Sequence, residues 1–184
     1  MLRLPNLISL ARLMAAPFIA WLLFAGSFRA ALFVLLVAGA TDWLDGYSAR
    51  KMGIASRIGV VLDPLADKVL LVVVFVSLFW LGLIPFWLFV VLVGRDLVIV
   101  TGALIMRLLR NRREFVPSLL GKISTFFQIL LALLAVVHAA FPYWIIEAMK
   151  ITGEILAAIF TLLSGLAYVR QGIQMARLPP LQKI

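Results

Sequence analysis

The sequence predicts an all-α integral membrane protein, a six-transmembrane-helix bundle with both termini cytoplasmic. Three observations carry that prediction. The chain is 65% hydrophobic and only 14% charged, far more apolar than a water-soluble domain. Its apolar residues gather into several runs, each near the ~20 helical residues that cross a hydrocarbon core, and the runs are too numerous for one signal peptide or tail anchor. Its basic residues collect in alternate loops, the asymmetry by which membrane proteins orient. Residues 1–184 read as a single transmembrane domain with a short cytoplasmic tail at about 171–184.

The first run opens with Arg3 and Pro5-Asn6 and is apolar from Leu7 to Ala25, broken by Ser9 and Arg12. A short interfacial turn leading into span one fits, with Arg12 near enough to one end to snorkel. Span two runs from about Ala30 into the stretch at Asp42, span three from about Ile58 to Leu81, and span four from about Ile84 to Leu109. Span five covers roughly Ser118 to Ala140 and span six roughly Ile145 to Val169. Helix breakers fall between them, at Gly26-Ser27, Gly53, Gly82 to Pro85, Pro117 and Pro142. Gly94 and Gly165 lie inside spans, where a small residue lets helices approach closely.

Six spans put both termini on one side, and the loop charges say which. Arg50, Lys51 and Arg57 lie between spans two and three, Arg107, Arg110, Arg112 and Arg113 between four and five, and Arg170, Arg177 and Lys183 after six. The opposite loops hold Arg29, nothing basic around Gly82 to Pro85, and then His138. The positive-inside rule turns the termini and the arginine cluster toward the cytoplasm, a multi-pass placement that suits a bacterial inner membrane. The net charge of +9 is spread over these loops and the chain ends, so it marks contacts with anionic membrane lipids and no nucleic-acid partner. The absence of cysteine excludes disulfides, Cys-based zinc sites and a thiol nucleophile.

One polar stretch breaks the pattern. Asp42, Asp45, Asp63 and Asp67 are half of the eight acidic residues and stand at the foot of two apolar spans, where ionised carboxylates are costly and default to a functional reading. Asp42 and Asp45 are three apart and Asp63 and Asp67 four apart, so each pair shares a helix face. Asp42 and Asp45 alone read as a helix-end cap; two facing pairs bring four carboxylates into one small volume, where they repel unless a hard divalent cation such as Mg²⁺ neutralises them. Such a cation keeps positions open for phosphate oxygens. Gly46, Ala49 and Gly59 leave room for a bulky ligand against the backbone, and Arg50 offers a bidentate phosphate donor. The residues describe a metal-dependent pocket for a phosphorylated nucleotide or similar diphosphate, open to the cytoplasm. A transporter relaying ions through intramembrane acids is the rival class, but paired half-repeats are not seen.

The spacing Asp42-x2-Asp45-Gly46-x2-Ala49-Arg50-x8-Gly59-x3-Asp63-x3-Asp67 fills eight fixed positions over 26 residues and resembles the complete motif of the CDP-alcohol phosphatidyltransferase family. The resemblance extends to the six spans, to Asn6, and to Gly121-Lys122 and Gln128 in span five. It implies an enzyme that binds CDP-diacylglycerol and transfers its phosphatidyl group to an alcohol, with CMP leaving. Carried over residue by residue, it implies that Asp42, Asp45 and Asp63, with Asp67 close by, hold two Mg²⁺ or Mn²⁺ ions. Asp67 would also be the general base, and Gly46, Ala49, Arg50 and Gly59 would form the CDP pocket. It further suggests a homodimer.

Within that family the chain is similar to the branch with glycerol-type acceptors, which takes in phosphatidylglycerolphosphate synthases and CMP-forming cardiolipin synthases. Arg95-Asp96 stands where the former usually have Arg-Glu, and the basic residue they place about two turns on is absent until Arg107. That departure resembles the cardiolipin branch, so the reading leans to phosphatidylglycerol as acceptor over glycerol 3-phosphate. Arg95, too deep to snorkel, is open to two readings, an internal ion pair with Asp96 or a contact with the acceptor or the diphosphate. Arg107 and Lys122, on the catalytic side, are further candidates for the acceptor. His138, Tyr143 and Trp144 read as an outer interfacial belt, and Glu147, Lys150 and Glu154 as solvated or mutually paired.

Overall fold

The computed structural model describes residues 4–52, 59–108 and 118–177. Among them the chain forms six helices and no strand: α1 Leu4–Phe24, α2 Phe28–Met52, α3 Gly59–Trp80, α4 Phe86–Leu108, α5 Leu119–Ala140 and α6 Trp144–Arg177. Among the described residues, two stretches, Leu119–Ala140 and Trp144–Gln174, are both long and apolar enough to cross a membrane. Shorter unbroken apolar segments occupy Leu13–Phe24, Phe28–Thr41 and Lys68–Trp80. Helix α6 outlasts its apolar run by about two turns. The run ends at Val169, but Gln171, Gln174, Met175 and Ala176 are good helix formers, and Pro179-Pro180 follows only afterwards.

The turns have a local cause. Gly26 and Gly82 adopt φ of 71° and 69°, a left-handed conformation that costs glycine little. Each closes its helix with the same pair of bonds. Ser27 N–H reaches Leu22 C=O and Gly26 N–H reaches Leu23 C=O, at 2.9 and 3.0 Å, and Leu83 and Gly82 repeat this on Leu78 and Phe79 at 2.9 Å each. This is the Schellman closure of a helix C-terminus. At the other kind of end, Ser118 caps α5, its Oγ accepting the Gly121 N–H at 3.0 Å.

The helices group into two compact units. One gathers Met1–Ile84 with Ala132–Glu147, the other Pro85–Leu131 with Ala148–Ile184. In the first, α1 packs on α3 and α2, burying Ala16, Ile19 and Leu23 on α1, and Val74 and Leu78 on α3. Those intervals of three and four residues trace one stripe per helix. Arg29 lies over the Phe141 ring at 5.0 Å, a cation–π contact that shields a charge beside apolar chain. In the second unit the buried stripe of α4 is Leu88, Leu92 and Arg95, so a cation continues an apolar face. Phe127 of α5 stacks on Phe160 of α6 with centroids 4.8 Å apart.

The outward faces are as oily as the inward ones. Trp21, Phe33, Trp80, Phe86, Phe126 and Leu166 are all more than half exposed, and such residues recur on every helix. A protein dissolved in water keeps its contiguous apolar patches small; this surface is suited to a lipid solvent.

Candidate functional site

Helix α2 runs unbroken through Asp42, Asp45, Gly46, Ala49 and Arg50 to Met52, and α3 starts at Gly59 and carries Asp63 and Asp67 in its first nine residues. Both acidic pairs therefore sit at helical intervals, one near the end of α2 and one near the start of α3. The side chains of these eight motif residues, and that of Arg107 on α4, lie outside the described residues. What the structure gives for these residues is their helical register, and the chemistry of the side chains comes from the sequence. Four carboxylates are hard oxygen ligands, the donor set a divalent cation of the Mg²⁺ class requires.

The other charged centre is described in full. Arg95 is 8% exposed in the middle of α4. Its Nη1 donates to Asp96 Oδ1 at 2.6 Å, and its Nη2 donates to Ser164 Oγ on α6 at 2.8 Å. The guanidinium carbon lies 5.5 Å from the centroid of the Tyr168 ring. An unpartnered cation at this depth is costly; here a carboxylate, a hydroxyl and an aromatic face replace its water. The ion pair that the sequence offered as one reading of Arg95-Asp96 is formed. Yet the pairing is incomplete, because Arg95 Nε is buried with no hydrogen-bond partner. Arg95 also lines a cleft of about 300 Å³ between α4 and α6, walled by Gly94, Val98, Thr161, Gly165 and Leu166.

A second polar cluster crosses from α5 to α6. Ser124 Oγ and Thr161 Oγ1 lie 3.1 Å apart, and Gln128 Nε2 donates to Thr161 at 3.3 Å. All three residues are fully buried or nearly so. In an apolar surround such bonds hold helices together where the hydrophobic effect does not. The sequence singled out Gln128 but not Thr161, Ser164 or Tyr168. Their signal was present: 161, 164 and 168 recur at three and four residues on an otherwise apolar helix.

Lys122 is exposed on the first turn of α5, just past the Ser118 cap. A cation at a helix N-terminus opposes the macrodipole, so the helix itself gains nothing from it. Away from these residues, His138 is half-buried with Nδ1 unpartnered. Lys150 and Glu154 form an i,i+4 ion pair at 3.3 Å, one of the two states expected of them.

The described residues are helical, with a lipid-suited surface, acids at the ends of two helices and a buried arginine in a third, features consistent with a membrane protein that carries a polar site. Its sequence says which. The family description CDP-alcohol phosphatidyltransferase matches residues 2–168, and the chain belongs to that family of transferases, whose members are generally dependent on divalent metal. The chain is 32% identical over 181 residues to a CDP-diacylglycerol-glycerol-3-phosphate 3-phosphatidyltransferase of Aquifex aeolicus, covering 95% of this chain and 98% of that one. It is 35% identical over 134 residues to a cardiolipin synthase (CMP-forming) of Streptomyces coelicolor, covering 68% and 60%. A chloroplastic CDP-diacylglycerol-glycerol-3-phosphate 3-phosphatidyltransferase 1 of Oryza sativa is 36% identical over 157 residues, 76% of this chain, and the match spans about half, 48%, of that longer protein.

Proposed function

We propose that the chain transfers the phosphatidyl group of CDP-diacylglycerol to the hydroxyl of a glycerol-type acceptor, releasing CMP, in phospholipid biosynthesis. The observation that carries this reading is the filled motif from Asp42 to Asp67 inside a family match from 2 to 168. Residues 1–184 act as one domain of six membrane-crossing helices, with termini and active site on the cytoplasmic face of a bacterial inner membrane; the loop charges support this side. The enzyme works as a homodimer.

Asp42, Asp45, Asp63 and Asp67 are the residues that would hold Mg²⁺ or Mn²⁺, two ions in all, and their carboxylate chemistry fits. When bound, the metal neutralises the diphosphate and the departing phosphate of CMP. Gly46, Ala49, Arg50 and Gly59 form the CDP pocket, with Arg50 on phosphate oxygens. Asp67 accepts the proton of the acceptor hydroxyl. That oxygen then bonds to the phosphatidyl phosphorus as the bond from phosphorus to the CMP oxygen breaks. Arg95, Arg107 and Lys122 contact the acceptor.

Phosphatidylglycerol is the acceptor favoured. An apolar cleft with a guanidinium in its wall suits an acceptor that is itself a lipid. Glycerol 3-phosphate is the alternative, favoured by the exposed Lys122, a point charge of the kind that binds a phosphomonoester. The deciding experiment supplies purified enzyme with CDP-diacylglycerol and both acceptors together and identifies the product by mass. Cardiolipin is expected; phosphatidylglycerol phosphate would reverse the choice of acceptor, and no CMP release with either would defeat the reaction.

A further inference from the structure

At Gly121, on the first turn of α5, there is no room for a side chain beside Tyr168 of α6. A Cβ at this position would lie 2.9 Å from the Tyr168 hydroxyl oxygen and 3.3 Å from its Cε2, closer than side chains normally pack, so the ring holds its place because residue 121 has none. The same ring faces the Arg95 guanidinium at 5.5 Å. Tyr168 therefore touches both the first turn of α5, next to Lys122, and the buried cation of α4.

The three restraints on Arg95 differ in kind. Asp96 is its neighbour on the same helix and moves with it. Ser164 holds one nitrogen, Nη2, which fixes a point but not the tilt of the plane about it. The Tyr168 ring, over which the guanidinium carbon lies, adds a restraint on the centre of the group from a different helix position. Such a restraint matters here, because Nε remains without a partner and its direction depends on that tilt.

We propose that Tyr168 is a positioning residue of the acceptor site: it sets the orientation of the Arg95 guanidinium and, through its contact at Gly121, ties that orientation to the turn carrying Lys122. The inference rests on reading Arg95 and Lys122 as acceptor contacts. The test is steady-state kinetics on the full chain in mixed micelles, varying phosphatidylglycerol and CDP-diacylglycerol separately, for Arg95→Gln, Tyr168→Leu, Tyr168→Phe, Gly121→Ala and the double variant Gly121→Ala with Tyr168→Phe. Tyr168→Leu is expected to raise the acceptor KM about thirtyfold, the weight of one desolvated cation–π contact, with kcat and the CDP-diacylglycerol KM nearly unchanged. Tyr168→Phe, which keeps the ring, stays close to wild type. Gly121→Ala raises the acceptor KM, and adding Tyr168→Phe recovers most of the loss by removing the clashing hydroxyl.

If Arg95→Gln raises the acceptor KM while Tyr168→Leu does not, the positioning role is overturned and the acceptor reading stands. If Arg95→Gln leaves the acceptor KM unchanged, the acceptor reading fails and the proposal falls with it. A fall in kcat together with a rise in both KM values for Tyr168→Leu indicates plain loss of packing and overturns it too. Should Tyr168→Leu not fold, recovery or its absence in the Gly121→Ala pair decides the matter.

Discussion

The acidic ends of α2 and α3 and the buried seam of α4, α5 and α6 place polar groups in the same apolar protein in opposite ways. The first concentrates four carboxylates of one sign within 26 residues, a stretch whose own cations are Arg50, Lys51 and Arg57. The second mixes signs and hydroxyls: Arg95 has Asp96 and Ser164, and Gln128 has Thr161. A like-charged cluster needs something from outside to neutralise it, and so reads as a ligand site. A self-satisfied network needs nothing, and so reads first as helix glue. Arg95 Nε, buried and unpaired, is where the second region departs from that rule.

Substitution should separate the two regions by what is lost. The largest effect is expected in the first: Asp67→Asn should lower kcat by about 10²–10⁴-fold, the span of a general base, while sparing CDP binding. Asp42→Ala, Asp45→Ala and Asp63→Ala should impair CDP and metal binding as well, each by loss of an oxygen ligand. Binding of CMP, followed by calorimetry with and without Mg²⁺, distinguishes these outcomes. Unchanged turnover in Asp67→Asn at saturating substrate would remove its role as base. None of the four is expected to lower thermal stability, since like charges are being removed.

In the second region stability should fall first. Arg95→Met removes the cation paired with Asp96 and the donor to Ser164 and should cost about 3–5 kcal/mol, read as a lowered melting midpoint. Adding Asp96→Leu should restore much of it, because a hydrophobic replacement of the whole pair is often neutral. A single variant as stable as wild type would mean that the pair is not the restraint its 2.6 Å contact suggests.

A smaller effect tests a turn that belongs to neither polar region. Gly82→Ala forces a Cβ into a φ of 69° and should cost about 1–2 kcal/mol. Gly94→Ala, in helix α4 with no atom within 4 Å of the added carbon, should be neutral or stabilising by about 0.5–1 kcal/mol. The smallest effect belongs to Thr161→Val, which removes the hydroxyl shared by Ser124 and Gln128. Interhelical bonds of this kind average about 0.6 kcal/mol, so a change of melting midpoint of only a degree or two is expected.

The two regions were also unequally legible. Asp42 to Asp67 could be read from spacing because helical intervals of three and four fix which residues share a face, whatever they pack against. The turns at Gly26 and Gly82 could be read because a left-handed residue is a local demand. Ser164 and Tyr168 were not found, since a hydroxyl on an apolar helix is a common residue until its partner is known. Arg95 was open between two roles for the same reason: beyond the adjacent Asp96, its partners Ser164 and Tyr168 lie 69 and 73 residues away on α6.

The sequence by itself determined the helices, the apolar character of their outer faces and the register of the acidic motif, because these follow from periods and compositions within one segment. Only the tertiary structure decided that Arg95 is satisfied on three sides and bare at Nε, and that residue 121 must lack a side chain for Tyr168 to lie where it does. Those are relations between helices far apart in the chain, and no local interaction fixes which face of one helix meets which face of another.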